Sequence, residues 1–262
     1  MADDDSALNW AALDALVDRV AASLQQAGLH SGDVVAVCAA SSVRYAAVYL
    51  GALRAGVVVA PLAPSVTPEA MASMLGDAQA RLLFADAQGT AAVPPAVMQG
   101  AGALALDDAG AGTPWSQWLA PEGAAPQPVD VGPEHPFNII YSSGTTGNPK
   151  GIVQSHGMRW AHLVRGLAQG YGPDSVTLLA TPLYSNTTLV SFFPGLCWGG
   201  SVRLMPKFDA PRYLQTAQQI RATHSMLVPV QYQRIMALPQ FGEFDLSSFR
   251  AKFCTSAPFR AE

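Results

Sequence analysis

The residues best suited to chemistry lie in one short segment, Tyr141 to Gly151, with the sequence YSSGTTGNPKG. Gly144 and Gly147 permit positive φ angles, so consecutive backbone N–H groups can turn towards one point and form an anion-binding nest. Four hydroxyl groups lie in the same segment, on Ser142, Ser143, Thr145 and Thr146. Lys150 adds a cation after Pro149, whose fixed φ stiffens the end of the loop. Neutral donors and one cation in this arrangement predict a binding site for a polyphosphate.

Two simpler interpretations explain less of this segment. Serine and glycine cluster in ordinary loops, so the run SSGTTG alone is compatible with a loop that binds nothing. A P-loop requires the pattern G-x-x-x-x-G-K-[ST], with glycine before the lysine and a metal-binding hydroxyl after it. Here Pro149 precedes Lys150 and Gly151 follows it, so neither requirement is met. The complete string therefore favours a phosphate site of another kind.

Alternating helix and strand patterns surround this loop and must position it. Several apolar residues follow the spacing of one helix face, namely Leu13, Leu16, Val17, Val20 and Leu24. Short apolar runs of strand length recur along the chain: VVAVCA, VVVA, RLLFAD, FNIIY, VTLLA, SVRLM and HSMLV. Apolar strands separated by helices predict an α/β fold with mainly parallel sheets flanked by helices. The loop is predicted to join a strand ending at Tyr141 to a helix starting near Ser155.

Residues 86–136 interrupt this alternation. They are rich in Ala, Gly and Pro, and their clear apolar features are the run ALAL and the pair Trp115 and Trp118. We interpret them as a long surface connection with a short helix around Trp115. The chain then divides roughly into a first α/β segment (1–85), the connection (86–136) and a phosphate-loop α/β segment (137–262).

The composition excludes several classes of protein. Of the 262 residues, 50% are apolar and 13% are charged, which excludes a disordered, fibrous or coiled-coil chain. A net charge of −4 without a basic block argues against a nucleic-acid partner. The most apolar stretch, residues 34–64, is broken by Arg44 and Arg54, and the acidic start is unlike a secretory signal. We therefore expect no membrane-spanning segment.

The cysteines bear on the cellular compartment of the protein and do not indicate a metal site. The chain has three of them, Cys38, Cys197 and Cys254. They are far apart and flanked by apolar residues, which predicts reduced, buried thiols in a cytoplasmic protein. No group of residues has metal-ligand spacing, so no metal site is predicted within the chain.

The segment from Tyr141 to Gly151 resembles the phosphate-binding signature of the adenylate-forming superfamily, which includes acyl- and aryl-CoA ligases, peptide-synthetase adenylation domains and luciferases. Other segments resemble that superfamily in the same order along the chain: WAALDALVDRVAASLQQAGLHSGDVVAV, YLGALRAGVVVAPLAP, TPLYSNTTLVSFFPGLCWGG and FCTSAPF. These segments are spread along nearly the whole length of the sequence. The chain is identified as an N-terminal portion of an acyl- or aryl-CoA ligase, a partial AMP-binding domain over residues 1–262 without the C-terminal domain.

The resemblance implies roles for three groups of residues. The ATP phosphates would be bound by Ser142, Ser143, Gly144, Thr145, Thr146, Gly147 and Lys150. The adenine would lie against Ser256, Ala257 and Pro258, for which a plain strand-to-turn transition is the alternative. The acyl pocket would include Tyr184, Ser185 and Asn186, where Ser185 stands at the position of a histidine in many relatives. Thr187 and Thr188 fit either the pocket or the core, and His156 fits either the nucleotide site or a structural helix start.

The implied activity has two steps. A carboxylate and MgATP would give an acyl-adenylate, and coenzyme A would then displace AMP to form an acyl-CoA thioester. A carrier protein in place of coenzyme A, or a non-catalytic nucleotide-binding homologue, are the alternatives. The run SFFPGL and Trp198 suit an apolar acid, either aromatic or aliphatic. The resemblance puts the catalytic lysine, the ribose-binding aspartate and the acid that assists Mg²⁺ after residue 262, so we assign no catalytic residue and expect this portion alone to be inactive.

Overall fold

The structure of the protein, a computed structural model, describes residues 1–94, 102–142 and 149–256. The chain forms two compact units. The first, here called the seven-stranded unit, comprises Leu8–Ala40 and Arg44–Arg159. The second, the four-stranded unit, comprises Met1–Ala7, Ser41–Val43 and Trp160–Glu262.

Helices and strands alternate through the seven-stranded unit. Its helices are α1 (Trp10–Gln26), α2 (Val43–Arg54), α3 (Pro68–Asp77), α4 (Ala87–Ala92) and the single turn α5 (Trp115–Trp118). Its strands are β1 (Val34–Cys38), β2 (Val58–Pro61), β3 (Leu82–Ala85), β4 (Gly102–Ala105), β5 (Thr113–Pro114), β6 (Pro136–Ser142) and β7 (Lys150–Ser155). The strand order is β5-β4-β3-β1-β2-β6-β7. Neighbouring strands are parallel except β6 and β7, which are antiparallel.

Local signals in the sequence define where the first helices begin. Asn9 caps α1, since its side chain accepts a hydrogen bond from the N–H of Ala12, and the predicted apolar face of α1 is buried at Leu13 and Val20. Thr67 caps α3 in the same way, and Pro68 occupies the first helical position. These helices cover strands whose side chains are buried, and β2 is buried along its whole length. The mainly parallel α/β architecture predicted from the apolar runs is confirmed.

Two features of this unit differ from the sequence-based expectation. Residues 150–155 form the strand β7, so the predicted phosphate loop joins two antiparallel strands and not a strand to a helix. The stretch interpreted as a connection contributes β4 and β5 to the sheet, although its short helix at Trp115 is present as predicted. The run ALAL gives most of β4, whose register against β3 pairs Leu104 with Phe84.

The four-stranded unit is parallel throughout. Its strands are β8 (Val176–Leu179), β9 (Ser201–Leu204), β10 (His224–Leu227) and β11 (Ala251–Cys254), in the order β11-β10-β8-β9. Its helices are α7 (Asn186–Cys197), α8 (Ala210–Gln219) and α9 (Pro229–Met236), together with most of α6 (His156–Ala168). A single 3-10 turn covers Phe241–Glu243. The core of this unit packs α8 and α9 against the sheet through Leu178, Leu214 and Ile235.

The cysteines are only partly where the sequence suggested. All three are free thiols, but Cys38 alone is buried, while Cys197 and Cys254 are exposed. Cys254 ends the edge strand β11, where alternate side chains face away from the core, and Cys197 ends helix α7. The expectation of three buried thiols is therefore wrong for two of them.

None of the helices in the described part of the chain combines the length and the apolar character that a membrane crossing needs.

Candidate functional site

The predicted phosphate loop lies at the end of a β-hairpin. The antiparallel register of β6 and β7 pairs Tyr141 with Gly151 and ends with Ser142 opposite Lys150. Both Ser142 and Lys150 are exposed, so their side chains are accessible where the chain enters and leaves the loop. Ser143, Gly144, Thr145, Thr146 and Gly147 lie outside the described residues. The described part of the hairpin thus brings together the first hydroxyl and the cation of the predicted set.

His135 and His156 lie next to each other at the end of the hairpin that is remote from the loop. The backbone N–H of His156 donates to the carbonyl of His135 over 3.0 Å, directly beyond the pairing of Pro136 with Ser155. The ring of His156 meets the ring of Phe137 edge-on at 4.9 Å between centroids. Burial lowers the pKa of His156, as does the neighbouring His135. These contacts favour a structural role for His156 at the helix start, the second of the two interpretations that the sequence allowed.

The loop end of the hairpin is tied to helix α3. The hydroxyl of Tyr141 lies 2.6 Å from Oδ2 of Asp77 and 3.0 Å from the carbonyl oxygen of Met74. Gly151 lies beside this contact, because a Cβ atom at this position would be 3.0 Å from Oδ2 of Asp77. Sequence reasoning did not find Asp77, since 64 residues separate it from Tyr141 and no local pattern links them.

The candidate adenine and acyl segments meet in the four-stranded unit. Ser256 follows β11, and its hydroxyl oxygen lies 2.7 Å from the hydroxyl oxygen of Thr187, in the first turn of α7. Ser256 adopts a φ of +75°, a left-handed conformation that non-glycine residues rarely take. Ala257 and Pro258 lie outside the described residues. Ser256, from the predicted adenine set, therefore contacts Thr187, which directly follows Asn186 of the predicted acyl set.

The acyl-pocket candidates lie at the start of α7. Ser185 is the residue that precedes the helix, and the backbone N–H groups of Thr188 and Leu189 both donate to its carbonyl. Tyr184 lies in the turn before it and Asn186 is the first helical residue; all three candidates are half-buried. The Ser185 side chain does not cap the helix, which leaves its hydroxyl for other contacts.

The next two threonines have different environments. Thr188 is fully buried, and its hydroxyl is 2.7 Å from both the Thr181 hydroxyl and the Pro182 carbonyl oxygen. Thr188 therefore belongs to the core, whereas the half-buried Thr187 faces Ser256. The core interpretation is confirmed for Thr188, and the pocket interpretation of Thr187 stays a prediction.

The apolar run after these threonines is also core. Phe192 and Phe193 are buried and pack edge-on against each other at 5.1 Å. The indole N–H of Trp198 donates to the carbonyl of Leu163, and its ring lies 6.2 Å from that of Trp160. Packing within the four-stranded unit accounts for these side chains, so they do not support the inference of an apolar acid that was drawn from them.

The described ranges offer little to a metal ion. Within them, His, Cys, Asp and Glu side chains form no group of three or more that could hold one. The loop end of the hairpin offers the Ser142 hydroxyl, the Lys150 cation and the Tyr141–Asp77 contact, and the end of β11 offers hydroxyls. Such groups bind and orient anions and polar heterocycles, and they offer no pair of carboxylates for acid–base chemistry.

Comparison with known proteins identifies the family. Residues 1–262 match the family described as AMP-binding enzyme. The chain is 30% identical to an indoleacetate–CoA ligase of Aromatoleum aromaticum over 258 residues, which cover 93% of this chain and 49% of the relative. It is 31% identical to a feruloyl-CoA synthase of an Amycolatopsis species over 259 residues, with 98% and 51% covered. The chain thus spans about half the length of the curated relatives it matches.

Solved structures share the fold. The ATP-bound crystal structure of MatB from Rhodopseudomonas palustris superposes with a TM-score of 0.84 at 30% identity, covering 98% of this chain and 51% of MatB. The N-terminal domain of FACL13 from Mycobacterium tuberculosis superposes with a TM-score of 0.84 at 23% identity, and 65% of that domain is covered. The second likeness concerns the fold alone.

The fold defines an α/β protein with the architecture of the N-terminal domain of adenylate-forming enzymes. The chain belongs to the AMP-binding enzyme family, which confirms the resemblance seen in the sequence.

Proposed function

We propose that the whole protein is an ATP-dependent acid–CoA ligase of the cytoplasm. It joins a carboxylic acid to ATP as an acyl-adenylate, releases pyrophosphate, and transfers the acyl group to the thiol of coenzyme A. Membership of the AMP-binding family supports the use of ATP. The relatives named as indoleacetate–CoA ligase and feruloyl-CoA synthase support coenzyme A as the acceptor.

The observation that carries this proposal is the end of the β6–β7 ladder, where Lys150 lies opposite Ser142. The first step brings an anionic carboxylate to an anionic triphosphate, so the enzyme must offset the crowding of negative charge. Lys150 supplies a positive charge at the phosphates. Ser142, Ser143, Thr145 and Thr146 supply hydroxyl donors, and Gly144 and Gly147 let backbone N–H groups turn towards the same oxygens.

The contact between Ser256 and Thr187 supports a second part of the proposal. We assign Ser256, Ala257 and Pro258 to the adenine, and Tyr184, Ser185 and Asn186 to the carboxylic acid. The 2.7 Å contact means that the end of β11 and the start of α7 are neighbours, as they must be when one acyl-adenylate contacts both. Ser185 can donate a hydrogen bond to a carboxylate, but its hydroxyl cannot carry the charge of an imidazolium ion.

Magnesium enters the proposal only with the nucleotide. The described residues offer no cluster of acidic side chains to hold the ion, so its protein ligands are not assigned and no step is derived through it. In the family, Mg²⁺ accompanies ATP and offsets charge on the phosphate oxygens.

Carboxylate-dependent ATP–pyrophosphate exchange in the whole protein tests the proposal. Indoleacetate, hydroxycinnamates, benzoates and fatty acids of several lengths should be offered in parallel. The two relatives described above are named for aromatic acids, and another, from Mycobacterium tuberculosis, is named a long-chain-fatty-acid–CoA ligase. Lys150→Ala should lower exchange about 100-fold or more, since a charge that stabilises the transition state is lost. Lys207→Ala is the matched control, because Lys207 is also exposed but lies in the four-stranded unit.

The acceptor is tested separately. Adding coenzyme A or a phosphopantetheinylated carrier protein to the pre-formed acyl-adenylate should give a thioester with coenzyme A. Thioester on the carrier alone would replace coenzyme A in the proposal. A folded protein that binds ATP but exchanges no pyrophosphate with any acid would favour a non-catalytic homologue.

A further inference from the structure

We propose that Asp77 and Tyr141 form a positioning pair that fixes the loop end of the β6–β7 hairpin, and with it Lys150, for phosphate binding. This inference rests on the proposed function of the loop. It adds two residues of α3 and β6 that the phosphate-binding set does not include.

The pair is defined by one short hydrogen bond. The Tyr141 hydroxyl has two acceptors within reach, Oδ2 of Asp77 at 2.6 Å and the carbonyl oxygen of Met74 at 3.0 Å. A phenol has one proton to donate, and an ionised carboxylate is the stronger acceptor. Burial raises the pKa of Tyr141, as does the nearby Asp77, so the phenol keeps its proton at any pH suitable for an assay. Both acceptors lie in the last turn of α3, and the bond therefore ties β6 to that helix.

The same carboxylate controls the position of β7. Gly151 is opposite Tyr141 in the ladder, and a Cβ atom there would lie 3.0 Å from Oδ2 of Asp77 and 3.2 Å from Cε1 of Tyr141. At such distances a side chain would fit only if its neighbours, which include Ile139 at 3.0 Å, moved by a few tenths of an ångström, so the backbone of Gly151 packs closely against the pair. Lys150 is the next residue towards the loop, and a shift of Gly151 would move it directly.

The position of β7 in the sheet explains why such a tie is useful. The strand lies at the edge of the seven-stranded order, with β6 as its one neighbour in that order. Its first four residues are exposed, so core packing holds them weakly. The sequence before Lys150 includes Gly144 and Gly147, and glycine permits more backbone freedom than any other residue type. The contact with α3 opposes that freedom at the last pairs of the ladder.

Steady-state pyrophosphate exchange in the whole protein tests the inference, with KM measured separately for ATP and for the acid. Tyr141→Phe keeps the ring and removes the hydroxyl, and Asp77→Ala removes the acceptor. Each should raise KM for ATP about 5- to 10-fold and leave KM for the acid unchanged, because only the phosphate-binding end is loosened. The double variant should be no worse than either single variant, since one bond is lost in all three. Asp77→Asn retains an acceptor oxygen and should recover part of the affinity for ATP.

Two further variants separate positioning from general stability. Gly151→Ala places a methyl group against the Asp77 carboxylate and should raise KM for ATP in the same way. Gly76→Ala changes the neighbouring residue of α3, where a Cβ meets no atom within 4 Å, and should leave KM unchanged.

The outcomes distinguish this inference from the proposed function. If Lys150→Ala abolishes exchange while Tyr141→Phe and Asp77→Ala leave KM for ATP at the wild-type value, the pair has no positioning role and the phosphate site stands. A lower maximal rate with both KM values unchanged indicates fewer folded molecules, and this also overturns the inference. If Lys150→Ala has no effect, the phosphate site and the positioning pair both fail. If Tyr141→Phe does not fold, Asp77→Asn and Gly151→Ala provide the same comparison.

Discussion

Ser256 combines backbone strain with a contact to the candidate acyl segment, and this combination gives a testable order of stabilities. Its φ of +75° costs a serine about 1–2 kcal/mol that glycine avoids. Glycine gives back about 0.5–1 kcal/mol of this gain through the greater freedom of its unfolded chain. The 2.7 Å contact with the Thr187 hydroxyl contributes about 0.5–1 kcal/mol, at the lower end of the usual range because Ser256 is exposed.

These terms lead to different results for two substitutions. Ser256→Ala loses the hydroxyl contact and keeps the strain, so the free energy of unfolding should fall by about 0.5–1 kcal/mol. Ser256→Gly loses the same contact but relieves the strain, so its stability should stay close to that of the wild type. Thr187→Val removes the contact from the other side with little change in volume and should match Ser256→Ala. The double variant Thr187→Val with Ser256→Ala should show no further loss.

Urea unfolding of the wild type and these four variants measures this order, provided that the slope with denaturant is the same for all five proteins. Although Ser256→Gly should keep its stability, it should bind ATP less well. The glycine makes the candidate adenine segment less rigid, so KM for ATP in the exchange assay should rise. A Ser256→Gly protein less stable than Ser256→Ala would refute the reasoning, because it would mean that residue 256 does not hold a left-handed conformation in solution.

Two more predictions concern the scaffold. Gly89→Ala should destabilise the protein by about 3 kcal/mol or more, because a Cβ there would lie 1.6 Å from the carbonyl oxygen of Cys38, whereas Gly76→Ala should be neutral or stabilising in the same thermal unfolding assay. His224 is fully buried, and its Nε2 donates to the Gln169 carbonyl over 3.1 Å; burial lowers its pKa from the ordinary 6.5. The stability that it provides as a neutral ring is complete above pH 6.5 and is lost as the pH falls through the lowered pKa, so His224→Phe should lose less stability than the wild type between pH 8 and pH 5.5.

The sequence predicts elements whose signals are local. The period of Leu13, Val17 and Val20 gives α1, and continuous apolar runs give the parallel strands, because each pattern is complete within one element. The strand β7 has no such pattern, since its two apolar residues, Ile152 and Val153, are exposed and point to opposite faces. The strand is stabilised by its pairing with β6, and no sequence pattern within β7 itself indicates that pairing.

For the site residues too, local signals could be read from the sequence and long-range contacts could not. The loop motif was recognisable because its residues are consecutive, and the threonine pair after Ser185 could be placed near the site but not divided between core and surface. The partners Asp77 and Thr187 act over 64 and 69 residues of sequence, respectively. The run at Phe192 shows the converse limit, because composition cannot distinguish an apolar core from an apolar binding pocket.

In each unit the candidate binding residues lie at the carboxyl end of a strand, where ligands of parallel α/β sheets bind. β6 runs parallel to β2 and ends at Ser142, and β11 runs parallel to β10 and ends two residues before Ser256. In each unit a hydroxyl contact holds the strand end to a helix: Tyr141 to Asp77 of α3 in one, and Ser256 to Thr187 of α7 in the other. Binding residues are positioned by the residues that border them, so contacts that fix a candidate site are required at the strand ends next to it. This requirement explains why the contacts found only in the structure border the residues that the sequence motif had already marked.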